Sequence, residues 1–296
     1  MKKIVAIALS IVMMIGAISM FTACGTTIGG YAAGAAGMTI SDERKQEVDF
    51  SHIYYSSTLV IVSAKAKAYD SVSDLSKLTV GVQEGTSGDL IISAAKTADG
   101  YSYADTDAEG NEITKTVAVD ADTEVKQYKQ YALALGDLKA GRIDAILMDK
   151  LPAQTMLANA DTEGQFTAVD ASDLLAEDFG IALKKGDTEF AAMVNAVIDE
   201  WVADGTMAKY VDYYTALANG ETPDADGLQT SWNFGDATKV ITVYTESGFA
   251  PFEFVMGGDV IGVDIAIMNE VAERNNFKIN VKDVAFDTIT TCVKGS

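Results

Sequence analysis

Three groups of residues in the sequence could together hold a free α-amino acid. Arg44 closes the block 37–44, and an arginine can grip a carboxylate through two parallel charge-assisted hydrogen bonds. The Gly/Thr/Ser loop 85–88 offers hydroxyl and backbone N–H donors to the same carboxylate where a helix begins. Asp149 follows a predicted strand and could accept an ammonium group. A receptor for the acid and a receptor for the amine are therefore both present.

These groups lie next to predicted strands and helices. Short buried apolar runs predict strands, which fall at residues 59–62, 78–82, 143–147 and 240–244. Apolar residues at helical spacing predict helices, which fall at residues 128–139, 188–201 and 265–272, with a further helix from Asp89. Strands that alternate with helices indicate α/β layers built mainly on parallel sheets.

The composition disfavours several classes of protein. The 296 residues include 22 basic and 43 acidic ones, and the net charge of −21 disfavours nucleic acid or an anionic membrane surface as a partner. Two cysteines and one histidine are too few for a disulfide scaffold or a Cys/His zinc cluster, so we expect neither a metal nor a cofactor. The length favours two domains, because a single core rarely grows past about 250 residues.

The first residues have the form of an export signal. Two lysines precede an apolar run over residues 4–20, and Cys24 follows soon after, as in bacterial lipoprotein signals. We expect residues 1–23 to be a signal peptide, Cys24 to carry a lipid, and residues 24–27 to tether the protein to the outer face of the cell membrane. Ordinary cleavage without lipidation is the alternative. A permanent membrane span fits less well, because the run is shorter than ~20 residues.

Two stretches of the sequence are predicted to be connecting segments. Residues 99–116 are rich in Asp, Gly and Tyr. A calcium loop from Asp105 would need a bidentate glutamate at its twelfth position, where Thr116 stands, so we favour an exposed hairpin. Residues 218–236 contain Asn-Gly, Thr-Pro-Asp and Asp-Gly sequences and predict a linker.

The same groups resemble the sequence blocks of a known family, the amino-acid family of extracellular solute-binding proteins of ABC importers (bacterial family 3 type). Its Gly-Met-Thr-x-Thr-x-x-Arg block, its Gly-Thr-(Thr/Ser)-Gly loop and its Gly-Arg-x-Asp-Ala strand are similar to residues 37–44, 85–88 and 141–149. Its Pro-Phe-x-Phe turn, its Gly-x-Asp helix start and its aromatic-Asp step are similar to residues 251–254, 262–264 and 286–287. The resemblance implies a two-lobed α/β fold of the periplasmic-binding-protein kind, type II.

The resemblance also implies how the carboxylate end of the ligand is bound. Arg44 and Thr86 would bind the α-carboxylate, with Thr39 and Ser87 assisting.

The remaining family positions imply the contacts of the amine and the side chain. The carbonyl of Gly37 and the carboxylate of Asp149 would hold the α-amine. Phe249 and Phe286 would sandwich the ligand, and Glu246 would face its side chain.

The order of the blocks departs from the family. The family begins with the block found here at residues 239–296, so the chain resembles a circularly permuted member whose former ends are joined by the linker 218–236. We expect residues 28–64 and 178–296 to form one lobe and residues 65–177 to form the other. A rearranged tandem pair, in which the last block opens a second, truncated copy, is the alternative.

The resemblance implies a binding protein and not an enzyme. Such a protein would capture a polar free amino acid outside the cell by closing its lobes and would deliver it to the permease of an ABC importer. Two other readings stay open. One is a dehydratase-like enzyme on the same scaffold, with Glu246 as the only candidate acid or base, and the other is a permuted remnant that no longer binds.

Overall fold

The computed structural model describes residues 30–107, 110–159 and 164–296. The expected signal peptide 1–23, Cys24 and the tether 24–27 lie outside the described residues. The described chain is a mixed α/β fold with two five-stranded sheets, each covered by helices. We call the first sheet with its helices the first lobe, and the second sheet with its helices the second lobe.

The first sheet contains the last strands of the chain beside the first one. In order across the sheet, its strands are β17 (Phe277–Asp283), β13 (Lys239–Thr245), β1 (Tyr31–Gly34), β12 (Ala182–Leu183) and β2 (Asp49–Phe50). β13 runs parallel to β17 on one side and to β1 on the other. The segment that follows the linker therefore supplies one edge strand of this sheet, β17, and the strand next to it, β13.

Apolar side chains hold β1 against β13. Ala33 pairs with Val243, and both are fully buried. Helix α8 (Ile289–Gly295) covers β1, and a Cβ atom at Gly34 would lie 2.6 Å from the Cγ2 atom of Ile289. A glycine is thus required at this position for the last helix to pack on the first strand.

Within the described ranges, four more helices belong to the first lobe: α1 (Arg44–Glu47), α5 (Thr188–Ala203), α6 (Thr206–Ala218) and α7 (Val263–Arg274). The helix predicted at 188–201 is confirmed. Its buried stripe consists of Phe190, Val194, Val197, Ile198 and Trp201. The carboxylate of Asp187 accepts the N–H of Phe190 at 3.1 Å and so caps the start of α5.

The second sheet carries the predicted strands of the middle of the chain. In order, its strands are β10 (Phe166–Asp170), β4 (Leu59–Ala64), β9 (Ala145–Asp149), β5 (Thr79–Gln83) and β8 (Glu124–Tyr128). Its helices are α2 (Ser87–Ala95), α3 (Tyr131–Lys139) and α4 (Lys150–Asn159). β5 runs parallel to β8 and β9, but β4 runs antiparallel to β9 and β10. The expectation of mainly parallel sheets was wrong, because strands next to the crossings return antiparallel in both sheets.

The chain crosses between the lobes at two paired strands. β3 (Tyr55–Ser57) and β11 (Glu177–Phe179) pair antiparallel outside the two large sheets. The structure therefore differs from the expected boundary after residue 64, because residues 59–64 already belong to the second sheet. A strand that is buried on both faces carries no sign of which sheet it joins.

Smaller elements complete the described chain. β6 (Tyr101–Thr106) and β7 (Glu112–Val117) form an antiparallel hairpin, which confirms that prediction. β14 (Gly248–Phe249), β15 (Glu253–Met256) and β16 (Asp259–Ile261) form a three-stranded sheet. The segment 219–238 contains neither helix nor strand, and Trp232 Nε1 fastens it to Glu270 of α7 at 2.9 Å.

Of the helices in the described part of the chain, none combines the length and the apolar character needed to cross a membrane.

A buried carboxyl group joins α7 to the turn after β1. The N–H of Gly37 donates to Asp264 Oδ2 at 2.9 Å, and Gly37 has a φ of 52°, a region that favours glycine. Asp264 is fully buried, and this burial raises its pKa to about 7. Folded Asp264 therefore keeps its proton at pH values where an aspartate of the unfolded chain is ionised.

We expect this carboxyl group to make the protein less stable as the pH rises. A folded-state pKa above the unfolded value stabilises the protein at low pH, and the contribution is lost progressively as the pH rises from about 4, the unfolded pKa, to about 7, the folded one. Asp264→Asn keeps an acceptor for the N–H of Gly37 but has no proton to lose. The free energy of unfolding should decrease between pH 5 and pH 7 in the wild type, and the decrease in the variant should be smaller by about 2 kcal/mol. Urea denaturation followed by circular dichroism measures this difference.

The matched control is Asp259→Asn, which removes an exposed carboxylate from the same segment of the chain. This variant should follow the wild-type pH dependence. An Asp264→Asn protein that loses as much stability as the wild type over the same pH range would show that Asp264 does not titrate in this way.

Candidate functional site

A small cavity lies between the two lobes. Its volume is about 10 Å³, enough for roughly one water molecule. All nine site residues named from the sequence line it: Gly37, Thr39, Arg44, Thr86, Ser87, Asp149, Glu246, Phe249 and Phe286. The tenth lining residue is Gln83. The fold thus brings residues from both ends and the middle of the chain to one place.

Arg44 is buried in the cavity wall and spans the two lobes. Its Nη1 atom donates to the carbonyl oxygen of Thr39 at 2.6 Å, and its Nη2 atom donates to that of Gly85, in the second lobe, at 3.0 Å. Burial lowers the pKa of Arg44, which Glu177 and Asp149 partly oppose by their charge. The hydrogen bonds of the guanidinium go to these two carbonyl groups and to no carboxylate of the described residues, so this part of the chain does not supply its strongest hydrogen-bonding partner.

The Gly/Thr/Ser loop places the start of α2 at the cavity. Thr86 is the N-cap, and its Oγ1 accepts the N–H of Asp89 at 3.4 Å. The same hydroxyl donates to the carbonyl of Gln83 at 2.8 Å, so its single hydrogen is already used within the loop. The first N–H groups of α2 have no acceptor inside the helix, which makes this end of α2 favourable for an anion.

Asp149 is a buried acid whose hydrogen bonding is incomplete. It ends β9, and its Oδ1 atom has no hydrogen-bond partner among the described residues. Burial raises the pKa of Asp149 well above its usual range, and the charge of Glu177 raises it further. A buried carboxylate of this kind is costly unless a donor or a cation reaches it.

Glu246 follows β13 and is held by two amide side chains of the second lobe. Gln83 Nε2 donates to its Oε2 at 2.9 Å, and Gln130 Nε2 donates to its Oε1 at 2.7 Å. Burial raises the pKa of Glu246, and these two hydrogen bonds oppose the shift. The carboxylate therefore has a fixed position between the lobes.

The two phenylalanines of the site pack on different neighbours. Phe249 lies against Gly37, where a Cβ atom would come within 2.5 Å of its ring, and its ring centroid is 6.3 Å from that of Tyr131. The ring of Phe286 lies 5.4 Å from the Arg44 guanidinium carbon, a cation–π contact. Phe249 and Phe286 follow β13 and β17 of the first sheet, so both aromatic walls are attached to the same lobe as Arg44.

The sequence reasoning missed four residues that hold the site together: Gln83, Gln130, Tyr131 and Glu177. Gln83 directly follows the predicted strand 78–82 and precedes the loop, so its place at the end of a strand was a usable signal. Glu177 gave no comparable signal. Its Oε2 atom accepts hydrogen bonds from Thr39 and Ser87, which lie far from it in the sequence.

Several known proteins are similar to this chain. The chain is 32% identical to the L-arginine-binding protein of Pseudomonas aeruginosa over 182 residues, which cover 60% of this chain and 62% of that protein. It is 28% identical to a probable histidine-binding protein of Neisseria gonorrhoeae over 187 residues, 63% of this chain and 61% of that protein. The chain therefore spans less than two thirds of the length of these relatives. A solved ancestral arginine-binding protein bound to arginine is 30% identical, with a TM-score of 0.47 over 59% of this chain and 67% of that one.

The family assignment rests on a broader match. The family model of the bacterial extracellular solute-binding proteins, family 3, matches residues 26–216 and 241–295, on both sides of the segment that joins α6 to β13. This match covers well over half of the sequence. The chain thus belongs to family 3 of the bacterial extracellular solute-binding proteins.

Proposed function

We propose that the protein captures a free polar amino acid between its lobes, outside the cytoplasm, and delivers it to the permease of an ABC importer. One observation carries the proposal. Among the described residues, the buried guanidinium of Arg44 hydrogen-bonds to no carboxylate and one oxygen of buried Asp149 has no hydrogen-bond partner, and both side chains line the same cavity. An α-amino acid bears a carboxylate and an ammonium group on one carbon atom, so it would complete both hydrogen-bonding sets.

The charge of the cavity favours a ligand with a cationic side chain. The lining contains one base, Arg44, and two acids, Asp149 and Glu246. A zwitterionic ligand adds no net charge, whereas an additional positive charge on the side chain would favour the ionised forms of these two acids, whose pKa values burial raises. The names of the arginine-binding relative from Pseudomonas aeruginosa and of the Escherichia coli lysine/arginine/ornithine-binding periplasmic protein, 28% identical over 182 residues, support this class of ligand.

Capture requires the lobes to move. A cavity of about 10 Å³ does not admit an amino acid, so the cleft must widen for entry and close again. Arg44 and Phe249 come from the first lobe, while Asp149 and the start of α2 come from the second. A ligand that contacts both sets binds the closed form better than the open one and shifts the population towards closure. The paired strands β3 and β11 are the natural pivot.

Thermal unfolding of the mature chain, residues 24–296, with each of the twenty amino acids tests the proposal. We expect L-arginine or L-lysine to raise the melting temperature by roughly 5 °C or more at a concentration of about 100 Kd. Arg44→Ala should abolish the rise, because it removes the partner of the α-carboxylate. Arg142→Ala is the control, since that side chain is 60% exposed in the second lobe, and it should keep the rise.

Three results of this experiment would contradict the proposal. No rise with any amino acid would favour a remnant that does not bind. An unchanged rise in Arg44→Ala would remove Arg44 from the site. A larger rise with L-glutamine than with L-arginine would remove the preference for a cationic side chain.

We also propose that the chain is a circular permutant of its family. The pairing of β13 with both β1 and β17 within one chain supports this reading over a truncated tandem copy. A rearranged chain with residues 239–296 placed before residues 30–218, joined by a flexible linker, should fold and respond to the same amino acid as the natural order. Failure of the rearranged chain to unfold cooperatively would count against permutation.

We propose a lipid anchor at Cys24, for which the apolar run that precedes the cysteine is the support. Intact-mass spectrometry of the membrane fraction should show a chain beginning at Cys24 with the added mass of a diacylglyceryl group. The unmodified mass of residues 24–296 would exclude the anchor.

A further inference from the structure

We propose that Glu177 is an interlobe clasp that closes the exit of the amino-acid cavity, an inference that rests on the function proposed above. Its Oε2 atom accepts a hydrogen bond from Thr39 Oγ1 at 2.9 Å and another from Ser87 Oγ at 2.5 Å. Thr39 belongs to the first lobe, and Ser87 is the first residue of α2 in the second lobe. One carboxylate oxygen thus ties the two lobes together.

The position of the clasp connects it with ligand exit. A groove of about 900 Å³ runs along the side of the cleft, and Glu177 lines it. The small cavity and this groove have two lining residues in common, Thr39 and Ser87. These are the two residues whose hydroxyl groups Glu177 holds. The clasp therefore lies where a path from the cavity to the groove would open.

Backbone contacts hold Glu177 next to Thr39, whereas its hydrogen bond to Ser87 can break. Glu177 begins β11, and the segment at Thr39 is bound to this strand through a bridge to Phe179 and through the N–H of Ile40, which donates to the carbonyl of Asp178 at 2.8 Å. Glu177 and Thr39 thus stay together when the lobes move. Of the two hydrogen bonds of the clasp, the one to Ser87 therefore breaks on opening, together with the bonds from Arg44 to Gly85 and from Gln83 and Gln130 to Glu246.

The clasp also determines whether the hydroxyl groups of Thr39 and Ser87 can donate or accept a hydrogen bond towards a ligand. An O–H···O distance of 2.5 Å is typical of a charge-assisted bond, which is about twice as strong as a neutral one. A hydroxyl group has one hydrogen, so Thr39 and Ser87 both spend theirs on Glu177 and offer acceptor lone pairs elsewhere. They would accept from the ligand's ammonium group, while Arg44 and the first N–H groups of α2 bind its carboxylate. The family resemblance implied a different role, in which Thr39 and Ser87 assist in binding the α-carboxylate.

The rate of ligand release tests the clasp. Dissociation of tritiated L-arginine is followed by chase with unlabelled L-arginine, and Kd is measured by equilibrium dialysis. Glu177→Gln should speed dissociation about tenfold and change the association rate less than threefold, because the neutral amide weakens the closed form only. In a Ser87→Ala background the same substitution should have a much smaller effect, since its partner across the cleft is already missing.

The control is Asp178→Asn, the same charge change one residue along β11, where the carboxylate accepts from Ser56 at 2.6 Å on the exposed surface. It should leave the dissociation rate unchanged. An unchanged rate in Glu177→Gln, or an equal acceleration in Asp178→Asn, would overturn the clasp. Slower dissociation would also overturn it, because Glu177 would then compete with the ligand's carboxylate. If the wild type binds no amino acid in the thermal scan, both the proposed function and the clasp are contradicted. If the wild type binds normally and Glu177→Gln has an unaltered dissociation rate, only the clasp is contradicted.

Discussion

The site depends on one buried guanidinium that the described chain does not pair with a carboxylate. Arg44 donates to two backbone carbonyl groups, one in each lobe, and these fix its direction without neutralising its charge. Asp149, one oxygen of which has no hydrogen-bond partner in the described part of the chain, lines the same cavity. A buried guanidinium and a buried carboxyl group with incomplete hydrogen bonding are costly in a desolvated cleft, and a zwitterion of matching length lowers that cost at both ends. The other features of the site arrange and close this pair.

The fold brings Arg44 and Asp149 next to the rings of Phe249 and Phe286 only because the two ends of the chain share a sheet. Phe249 and Phe286 follow β13 and β17, whereas Arg44 follows β1. Parallel pairing of β13 with β1 places the ends of both strands at the same edge of the sheet. Gly34, which lets α8 approach β1, and the bond from Gly37 to Asp264 hold the two segments in register. A site built from such distant segments needs this long-range packing to exist at all.

Much of the site could be predicted from the sequence, because its residue types recur in short, specific blocks. The nine residues to which the family resemblance gave a ligand-binding role line one cavity, and their role in binding stays a prediction. The hairpin and the long helix α5 were predicted correctly. The contacts that depend on three-dimensional proximity could not be predicted. Glu177 is 138 residues from Thr39 and 90 from Ser87, and nothing in its local sequence marks either partner. The sheet to which residues 59–64 belong and the antiparallel returns of both sheets are likewise decided by tertiary packing.

The central claim is that one ligand satisfies Arg44 and Asp149 at the same time through its two charged α-groups. Isothermal titration of the mature protein with L-arginine, its methyl ester and its Nα-acetyl derivative tests this directly, because each derivative removes one charge and keeps the side chain. The account predicts binding of L-arginine and a loss of at least about 100-fold for each derivative, in line with the loss of a buried charged partner. Binding of either derivative with the affinity of L-arginine would contradict it.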